Sequence, residues 1–241
     1  MFFGFKKISQ TQNKDTTSYS IKIDNELLSE VEYTKFLGVF IDKKFTWQQH
    51  VSYICSKISK TMYVLNRLKY ILNKHSLLYI YFSLIYPHLN YCNIIWGCAS
   101  KSVLNQLLLL QKRAIRIICH AKYLAHTDEL AQKIHLLKLP HINIFQSAMF
   151  MYKYLNRNLP CVCKDFLAVN DPSTNVYNLR QFNNFAVPPF RTLLRKRCLL
   201  IRGPKIWNLI PCEIKSSPSL SSFKRKLRTY LLSNISSISI E

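Results

Sequence analysis

Glycine is scarce in this chain, with only four in 241 residues, at positions 4, 38, 97 and 203. Loops that cradle phosphate groups need several glycines at fixed spacing, and neither a GxGxxG nor a GxxxxGK pattern occurs. The composition therefore argues against a glycine-rich nucleotide loop. The apolar share of 49% is large enough to supply a hydrophobic core, so a disordered chain is not expected either.

Carboxylates are missing from residues 43–127, a span that carries twelve Lys and Arg. The whole chain has a formal net charge of +22. A span without acids cannot neutralise itself through ion pairs, and its electric field suits a polyanion, most simply nucleic acid. The alternative is a solvated basic surface with no specific partner.

Metal-ligand spacing is also missing, although eight cysteines and seven histidines are present. No pairing completes a C-x2-C or a C-x2-C…H-x3-5-H arrangement around the nearest candidates, which are Cys92, Cys98, Cys119, His120, His126, Cys161 and Cys163. No nucleophile elbow and no HExxH motif occurs. We therefore expect no metal ligand, no cofactor and no catalytic residue, with the thiols free in a reducing compartment.

Long hydrophobic runs are absent as well. The interval between Lys74 and Lys101 has no charged residue, but only about ten residues before Pro87 are continuously apolar, too few to span a bilayer. The start Met1–Phe5 is too short and lacks the positive end of a secretory signal. The sequence predicts an intracellular protein of the nucleus or cytoplasm, neither secreted nor inserted in a membrane. A membrane-associated helical protein anchored by residues 75–100 is the alternative.

Strand periodicity is confined to the first part of the chain. Tyr19, Ile21 and Ile23 alternate with polar residues, and the turn-forming stretch 24–26 predicts a short β hairpin. The continuous apolar run 36–41 predicts a buried strand, in which Gly38 indicates a close backbone approach.

A long amphipathic helix is predicted from Thr46, because Thr46 and Gln49 have the spacing of a capping box. Its apolar stripe comprises Val51, Ile54, Ile58, Leu65, Leu68 and Leu72. Steps of about 100° per residue place the cations on the opposite face, namely Lys57, Lys60, Arg67 and Lys74.

Further helices are predicted for residues 76–86, where Pro87 would end the helix, and for residues 102–119. The latter carries Lys112, Arg113 and Arg116 away from its apolar face. Helices starting at Thr127, over 141–156 and over 219–232 follow, while 158–189 predicts a long loop or boundary. The predicted fold class is mainly α, with a short N-terminal β hairpin followed by helical regions.

Several ordered blocks of this sequence resemble one protein family. The stretch KFLGVFID at 35–42 and FTWQQHV at 45–51 are followed by matching blocks around 84–87, 110–116 and 204–211. Together these blocks resemble LINE (non-LTR) retrotransposon reverse transcriptases, especially the jockey-like ones. The resemblance extends from about residue 19 to the end of the chain.

The resemblance implies three regions. Residues 1–45 would be a palm remnant whose primer-grip hairpin contains Phe36, Leu37 and Gly38. Residues 46–125 would be a helical thumb-like domain, and residues 126–241 a basic C-terminal extension. We expect the chain to bind RNA, DNA or an RNA–DNA hybrid without sequence preference. The expected contacts lie on two helices that would form a cationic groove, and comprise Lys57, Lys60, Arg67, Lys112, Arg113 and Arg116.

Polymerase activity is not implied for this chain by itself. Nucleotide polymerisation needs carboxylates that clamp two metal ions, and the sequence has neither an Asp-Asp pair nor a Tyr-x-Asp-Asp motif. Its adjacent acids, Asp128 and Glu129, fit a helix start. Mg²⁺ would belong to the full-length parent enzyme alone. The alternative is a domesticated helical protein-interaction module, and self-association through an uncovered palm face is a further expectation.

Overall fold

The computed structural model describes residues 22–23, 26–27, 29–163 and 184–234. The chain divides between Glu32 and Tyr33 into two compact units. In the first unit, β1 (Lys22–Ile23) pairs antiparallel with β2 (Glu26–Leu27), so that Lys22 faces Leu27. This confirms the short N-terminal hairpin; the predicted turn residues 24 and 25 lie outside the described residues.

The second unit begins with another hairpin, made of β3 (Tyr33–Phe36) and β4 (Val39–Asp42). The prediction of one buried strand over 36–41 is wrong. Leu37 and Gly38, with φ angles of 45° and 81°, reverse the chain in a two-residue turn. Positive φ at both positions gives the twist that matches antiparallel strands. The chain therefore folds back on itself, and Phe36 and Leu37 are 62% and 73% exposed while Val39 is buried.

Helix α1 (Gln48–Leu68) follows the hairpin. The predicted capping box is wrong, because the residue before the helix is Trp47 in the left-handed conformation, and Thr46 Oγ1 accepts a hydrogen bond from Gln48 N–H (3.4 Å) instead of from Gln49 N–H. The Asp42 carboxylate instead accepts hydrogen bonds from Thr46 N–H (2.8 Å), Thr46 Oγ1 (2.9 Å) and Trp47 N–H (2.8 Å). This carboxylate fixes the path of the chain from the hairpin into α1.

The apolar stripe of α1 is confirmed at Val51, Ile54, Ile58 and Leu65, which are buried, and Leu68 is half-buried. Met62, which the prediction omitted, is buried with them. The helix is shorter than predicted, however. It ends at Leu68, so neither Leu72 nor Lys74 lies on it.

The next four helices are α2 (Lys74–Leu84), α3 (Tyr86–Asn90), α4 (Asn93–Trp96) and α5 (Lys101–Ile118). The expectation that Pro87 ends the helix over 76–86 is wrong, because α2 already ends at Leu84 and Pro87 lies within α3. Pro87 lies in the first turn of α3, where its missing N–H has no intrahelical acceptor to lose. The proline therefore begins a new helix directly after α2.

The later helices are α6 (Thr127–Lys133), α7 (Leu139–Leu155), α8 (Leu193–Arg197), α9 (Leu199–Asn208), α10 (Cys212–Lys215) and α11 (Leu220–Ser233). The helices that start at Thr127 and after Ser219 are confirmed. A 3-10 turn spans Cys161–Cys163, and most of the predicted loop 158–189 lies outside the described residues. The predicted fold class, mainly α with a short N-terminal hairpin, is confirmed.

One hydrophobic core connects the helices of the second unit. Helix α1 packs chiefly against α5, and α7 packs against α9 and α11. Large fully buried side chains occur along this core, among them Tyr81, Trp96, Trp207 and Phe223. Among the described residues, no helix combines the length and apolar character needed to cross a membrane.

Candidate nucleic-acid interface

Three of the predicted nucleic-acid contacts project from α1 into solvent. Lys57, Lys60 and Arg67 are all exposed. The ammonium of Lys57 lies 5.5 Å from the centre of the Tyr53 ring, and the guanidinium of Arg67 lies 5.5 Å from the centre of the Tyr63 ring. Because these cations are exposed, phosphate groups can reach them from solvent.

The three predicted contacts on α5 have unequal surroundings. Arg113 is exposed, whereas Lys112 and Arg116 are half-buried. Arg116 Nε donates a hydrogen bond to the Ala125 carbonyl at 3.0 Å, so this side chain secures the segment that follows its own helix. Arg116 is therefore partly structural, which its place on the polar face of α5 did not reveal.

A buried lysine near α5 was not predicted from the sequence. Lys138 is 6% exposed and forms an ion pair with Asp128. Burial first, and then the charges of Lys112 and Arg116, lower the pKa of Lys138 to about 8. Nothing in the local sequence marks this position, because its surroundings come from α5 and α6.

The two sets of cations lie on helices whose buried sides face the core. Helices α1 and α5 pack chiefly against each other, and the predicted contacts lie away from the buried stripe of each helix. Convergence of the two sets into one groove stays a prediction.

The predicted primer-grip residues form the tip of the β3–β4 hairpin. Tyr91 Oη donates a hydrogen bond to the Leu37 carbonyl at 2.6 Å, which ties the tip to the chain between α3 and α4. Gly38 lies against the same ring, since a Cβ atom at this position would be 3.6 Å from Tyr91 Cε1. The tip is thus anchored through its backbone, while the side chains of Phe36 and Leu37 remain exposed. Their role in gripping a primer stays a prediction.

A cleft of about 410 Å³ opens behind the hairpin tip. Its lining contains no carboxylate and comprises Gly38, His50, Tyr53, Ile54, Pro87, His88, Asn90 and Tyr91. These residues come from the β3–β4 hairpin, from α1, and from α3 with Tyr91 directly after it, which are distant in sequence. None of this lining was predicted from the sequence as a cleft, because its residues meet only through packing.

His50 is the buried polar residue of this cleft, with 2% of its side chain exposed. Its Nδ1 accepts a hydrogen bond from Phe40 N–H at 3.4 Å, and its ring meets Trp96 edge-on with 5.6 Å between ring centres. Burial lowers the pKa of His50. At neutral pH the imidazole is therefore uncharged, with its proton on Nε2, which has no hydrogen-bond partner among the described residues.

The described carboxylates near these surfaces act within the fold. Both oxygens of Asp42 accept hydrogen bonds at the start of α1, and Asp128 pairs with Lys138. In the described part of the chain, no three His, Cys, Asp or Glu side chains are grouped so as to hold a metal ion.

Comparison with known proteins returns polymerases of transposable elements. About half of this chain (48%) is 27% identical, over 122 residues, to the probable RNA-directed DNA polymerase from transposon BS of Drosophila melanogaster. The RNA-directed DNA polymerase from mobile element jockey of the same species is 27% identical over 130 residues, or 53% of this chain. Its counterpart from Drosophila funebris is 29% identical over 125 residues, or 51% of this chain.

The matched regions span only 13–14% of the length of these three relatives. No protein-family model matches the chain. No solved structure matches it significantly. The three matches agree with the family indicated by the ordered motifs at 35–42 and 45–51. The resemblance of this chain to the reverse transcriptases of jockey-like, non-LTR transposable elements is therefore confirmed over about half of its length.

Proposed function

We propose that this chain binds nucleic acid through its phosphate backbone, without reading the sequence. The observation that carries the proposal is the carboxylate-free span 43–127, from which Lys57, Lys60 and Arg67 project into solvent on one helix. The similarity to RNA-directed DNA polymerases supports the same conclusion, because such proteins act on nucleic acid. RNA, DNA and their hybrid are the proposed partners.

Phosphate contacts have two measurable consequences. They position a protein on a nucleic acid but carry no base information, so affinity should vary little between sequences. Each contact also releases condensed counterions, so that the logarithm of the binding constant falls with the logarithm of the salt concentration, by about 0.9 per contact on a duplex.

The deciding experiment titrates a labelled RNA–DNA hybrid at several salt concentrations. The test variant is Lys57→Ala/Lys60→Ala/Arg67→Ala, because all three side chains are exposed and their loss leaves the core intact. Arg116 is left in place, since its hydrogen bond to Ala125 would confuse binding with stability. We expect the salt slope to fall by about 2–3 units and all sequences to be weakened alike.

The matched control is Arg197→Ala/Lys224→Ala/Arg225→Ala, which removes three exposed charges from α8 and α11. A control that binds almost as well as the unaltered chain assigns the interface to α1. Equal losses in both variants would mean that only the net charge of the chain attracts nucleic acid, and the α1 interface would be abandoned.

Catalysis is not part of the proposed function. The sequence contains no Asp-Asp pair, and a polymerase needs carboxylates that hold two metal ions. Asp42 and Asp128, which lie in the described part of the chain, already have partners within the fold. The polymerase activity named for the relatives is accordingly not proposed for these 241 residues by themselves.

A protein-interaction role is the second candidate, favoured by the exposed apolar tip of the β3–β4 hairpin. Phe36 and Leu37 are adjacent and 62% and 73% exposed, so they offer an apolar contact to the surface of another protein.

A further inference from the structure

We propose that the cleft behind the hairpin tip holds one unpaired nucleotide of a single strand, with its base among the aromatic side chains and its phosphate near the ammonium groups of Lys35 and Lys57. The inference rests on the proposed nucleic-acid binding and adds a second, base-dependent site to it.

The lining of the cleft suits a flat ring. Tyr53, His88 and Tyr91 contribute rings, and Pro87 adds a rigid apolar surface. Every nucleobase has a π face, so stacking on such side chains does not depend on the sequence. The volume of about 410 Å³ lies within the roughly 300–1,000 Å³ common for small-molecule sites, too small for a duplex.

Two ammonium groups lie over the ring of Tyr53, which lines the cleft, although the two lysines themselves are outside its lining. Lys35 Nζ and Lys57 Nζ each lie 5.5 Å from the centre of the Tyr53 ring. They come from β3 and α1, and neither forms an ion pair with a carboxylate of the described residues. Two cations beside one aromatic ring, without a counter-charge in the cleft lining, are complementary to a nucleotide, in which an anionic phosphate is joined to an aromatic base.

The cleft also offers donors to the edge of a base. His50 is neutral, carries its proton on Nε2 and has no partner for it among the described residues. The side-chain oxygen Oδ1 of Asn90 already accepts a hydrogen bond from Gln146 Nε2. The side-chain NH₂ group of Asn90 is therefore its donor to a ligand. Carbonyl oxygens and ring nitrogens of a base would accept from these groups.

A base within a duplex is stacked on its neighbours and cannot enter the cleft. The ligand is therefore an unpaired nucleotide, and its sugar can be that of RNA or DNA. The cations of the proposed phosphate interface include Lys57, so a strand could follow the cationic face of α1 and place one base in the cleft.

The experiment compares labelled single strands with and without bases. The 241-residue chain is titrated with an RNA strand, a DNA strand of the same sequence, and versions of both that carry abasic sites but keep every phosphate. We expect the abasic strands to bind about tenfold more weakly than their base-bearing counterparts. Base dependence in either strand supports the cleft and identifies the sugar that it accepts.

The test variant is Tyr53→Leu, which keeps apolar bulk but removes the ring. Its matched control is Tyr70→Leu, because Tyr70 also has a lysine over its ring, Lys69 at 4.7 Å, but is 81% exposed and outside the cleft. We expect Tyr53→Leu to abolish the preference for base-bearing strands and Tyr70→Leu to retain it. Binding of the RNA–DNA hybrid and its salt slope should stay unchanged in both.

A measurement on the unaltered chain covers the case in which Tyr53→Leu unfolds. Strands with a photoreactive thiopyrimidine are cross-linked, and the adducts are mapped by mass spectrometry. Adducts on Tyr53, His88 or Tyr91 support the proposal, while adducts found only outside the cleft overturn it. Equal affinity for abasic and base-bearing strands also overturns it but leaves phosphate binding intact, whereas absence of all binding removes the proposed function as well.

Discussion

His141 shows how a single buried residue ties stability to pH. It lies in the first turn of α7, is 4% exposed, and neither ring nitrogen has a hydrogen-bond partner among the described residues. Burial first, and then the charge of Lys138, lower the pKa of His141 to about 4. In the unfolded chain a histidine has a pKa near 6.5. Below that pH, and down to about pH 4, the unfolded state therefore binds a proton that the folded state does not bind.

The sign of the effect follows from this difference in proton uptake. The free energy of unfolding is unaffected by His141 well above pH 6.5 and decreases as the pH falls from about 6.5 towards about 4. At pH 5 we expect a loss of about 2 kcal/mol relative to pH 7. Denaturant unfolding at a series of pH values measures it. His50, whose pKa burial also lowers, adds a loss in the same direction.

The variant His141→Leu should lose this part of the pH dependence, because leucine fills the site without taking up a proton. His75→Leu is the control, since His75 is exposed on α2. If His141→Leu and the unaltered chain lose the same stability between pH 7 and pH 5, the acid sensitivity has another source.

At the scale of elements, the contact between α4 and α7 depends on close approach at Gly97. The Asn143 side chain of α7 donates hydrogen bonds to the Asn93 carbonyl (3.0 Å) and to Asn93 Oδ1 (2.9 Å) of α4. A Cβ atom at Gly97 would lie 2.3 Å from Asn143 Nδ2 and 2.5 Å from the Asn93 carbonyl oxygen. Because Asn93 contributes backbone, the clash cannot be relieved by rotating one side chain.

Gly97→Ala should therefore lower the free energy of unfolding by about 3 kcal/mol. Gly203→Ala is the matched control on α9. There a Cβ atom would meet Met151 Sδ at 2.8 Å, the flexible part of a thioether side chain, and alanine gains about 1 kcal/mol of helix propensity. Its net change should stay within about 1 kcal/mol. Similar midpoints of urea unfolding for the two variants would contradict the assigned packing.

For the whole molecule, the exposed apolar tip of the β3–β4 hairpin predicts that copies of the chain associate with one another. Phe36 and Leu37 are exposed next to each other, on a two-stranded hairpin with unpaired strand edges. Such surfaces favour association between copies of a chain. We expect self-association at micromolar concentrations, measured by light scattering as a mass that increases with concentration.

Phe36→Ser/Leu37→Asn should shift the chain towards the monomer. Asparagine also accepts the positive φ that Leu37 adopts, so the turn itself should not be weakened. The control Tyr123→Ser/Leu124→Ser removes another adjacent pair, 81% and 85% exposed, from a different segment. A monomeric unaltered chain, or equal dissociation by both variants, would rule out the tip as the contact.

The sequence by itself determined the features that repeat locally. The spacing of Val51, Ile54, Ile58 and Leu65 specifies the buried face of α1, because a helix returns to the same side every 3.6 residues. Ser219 marks the start of α11 through its own hydroxyl, which accepts from Ser222 N–H. The mainly helical fold, the exposed cations of α1 and the family resemblance were all accessible in this way.

Only the tertiary structure decided the features made by residues far apart in the chain. The hairpin at 33–42 replaces a single strand because Leu37 takes a positive φ and Tyr91, 54 positions later, bonds its carbonyl. Asp42 replaces the expected capping box because the hairpin brings its carboxylate to the start of α1. The cleft of His50, Tyr53 and Tyr91 likewise exists only once the hairpin, α1 and α3 have packed. Side chains that meet through packing leave no periodic pattern, since their contacts depend on the path of the whole chain rather than on neighbouring residues.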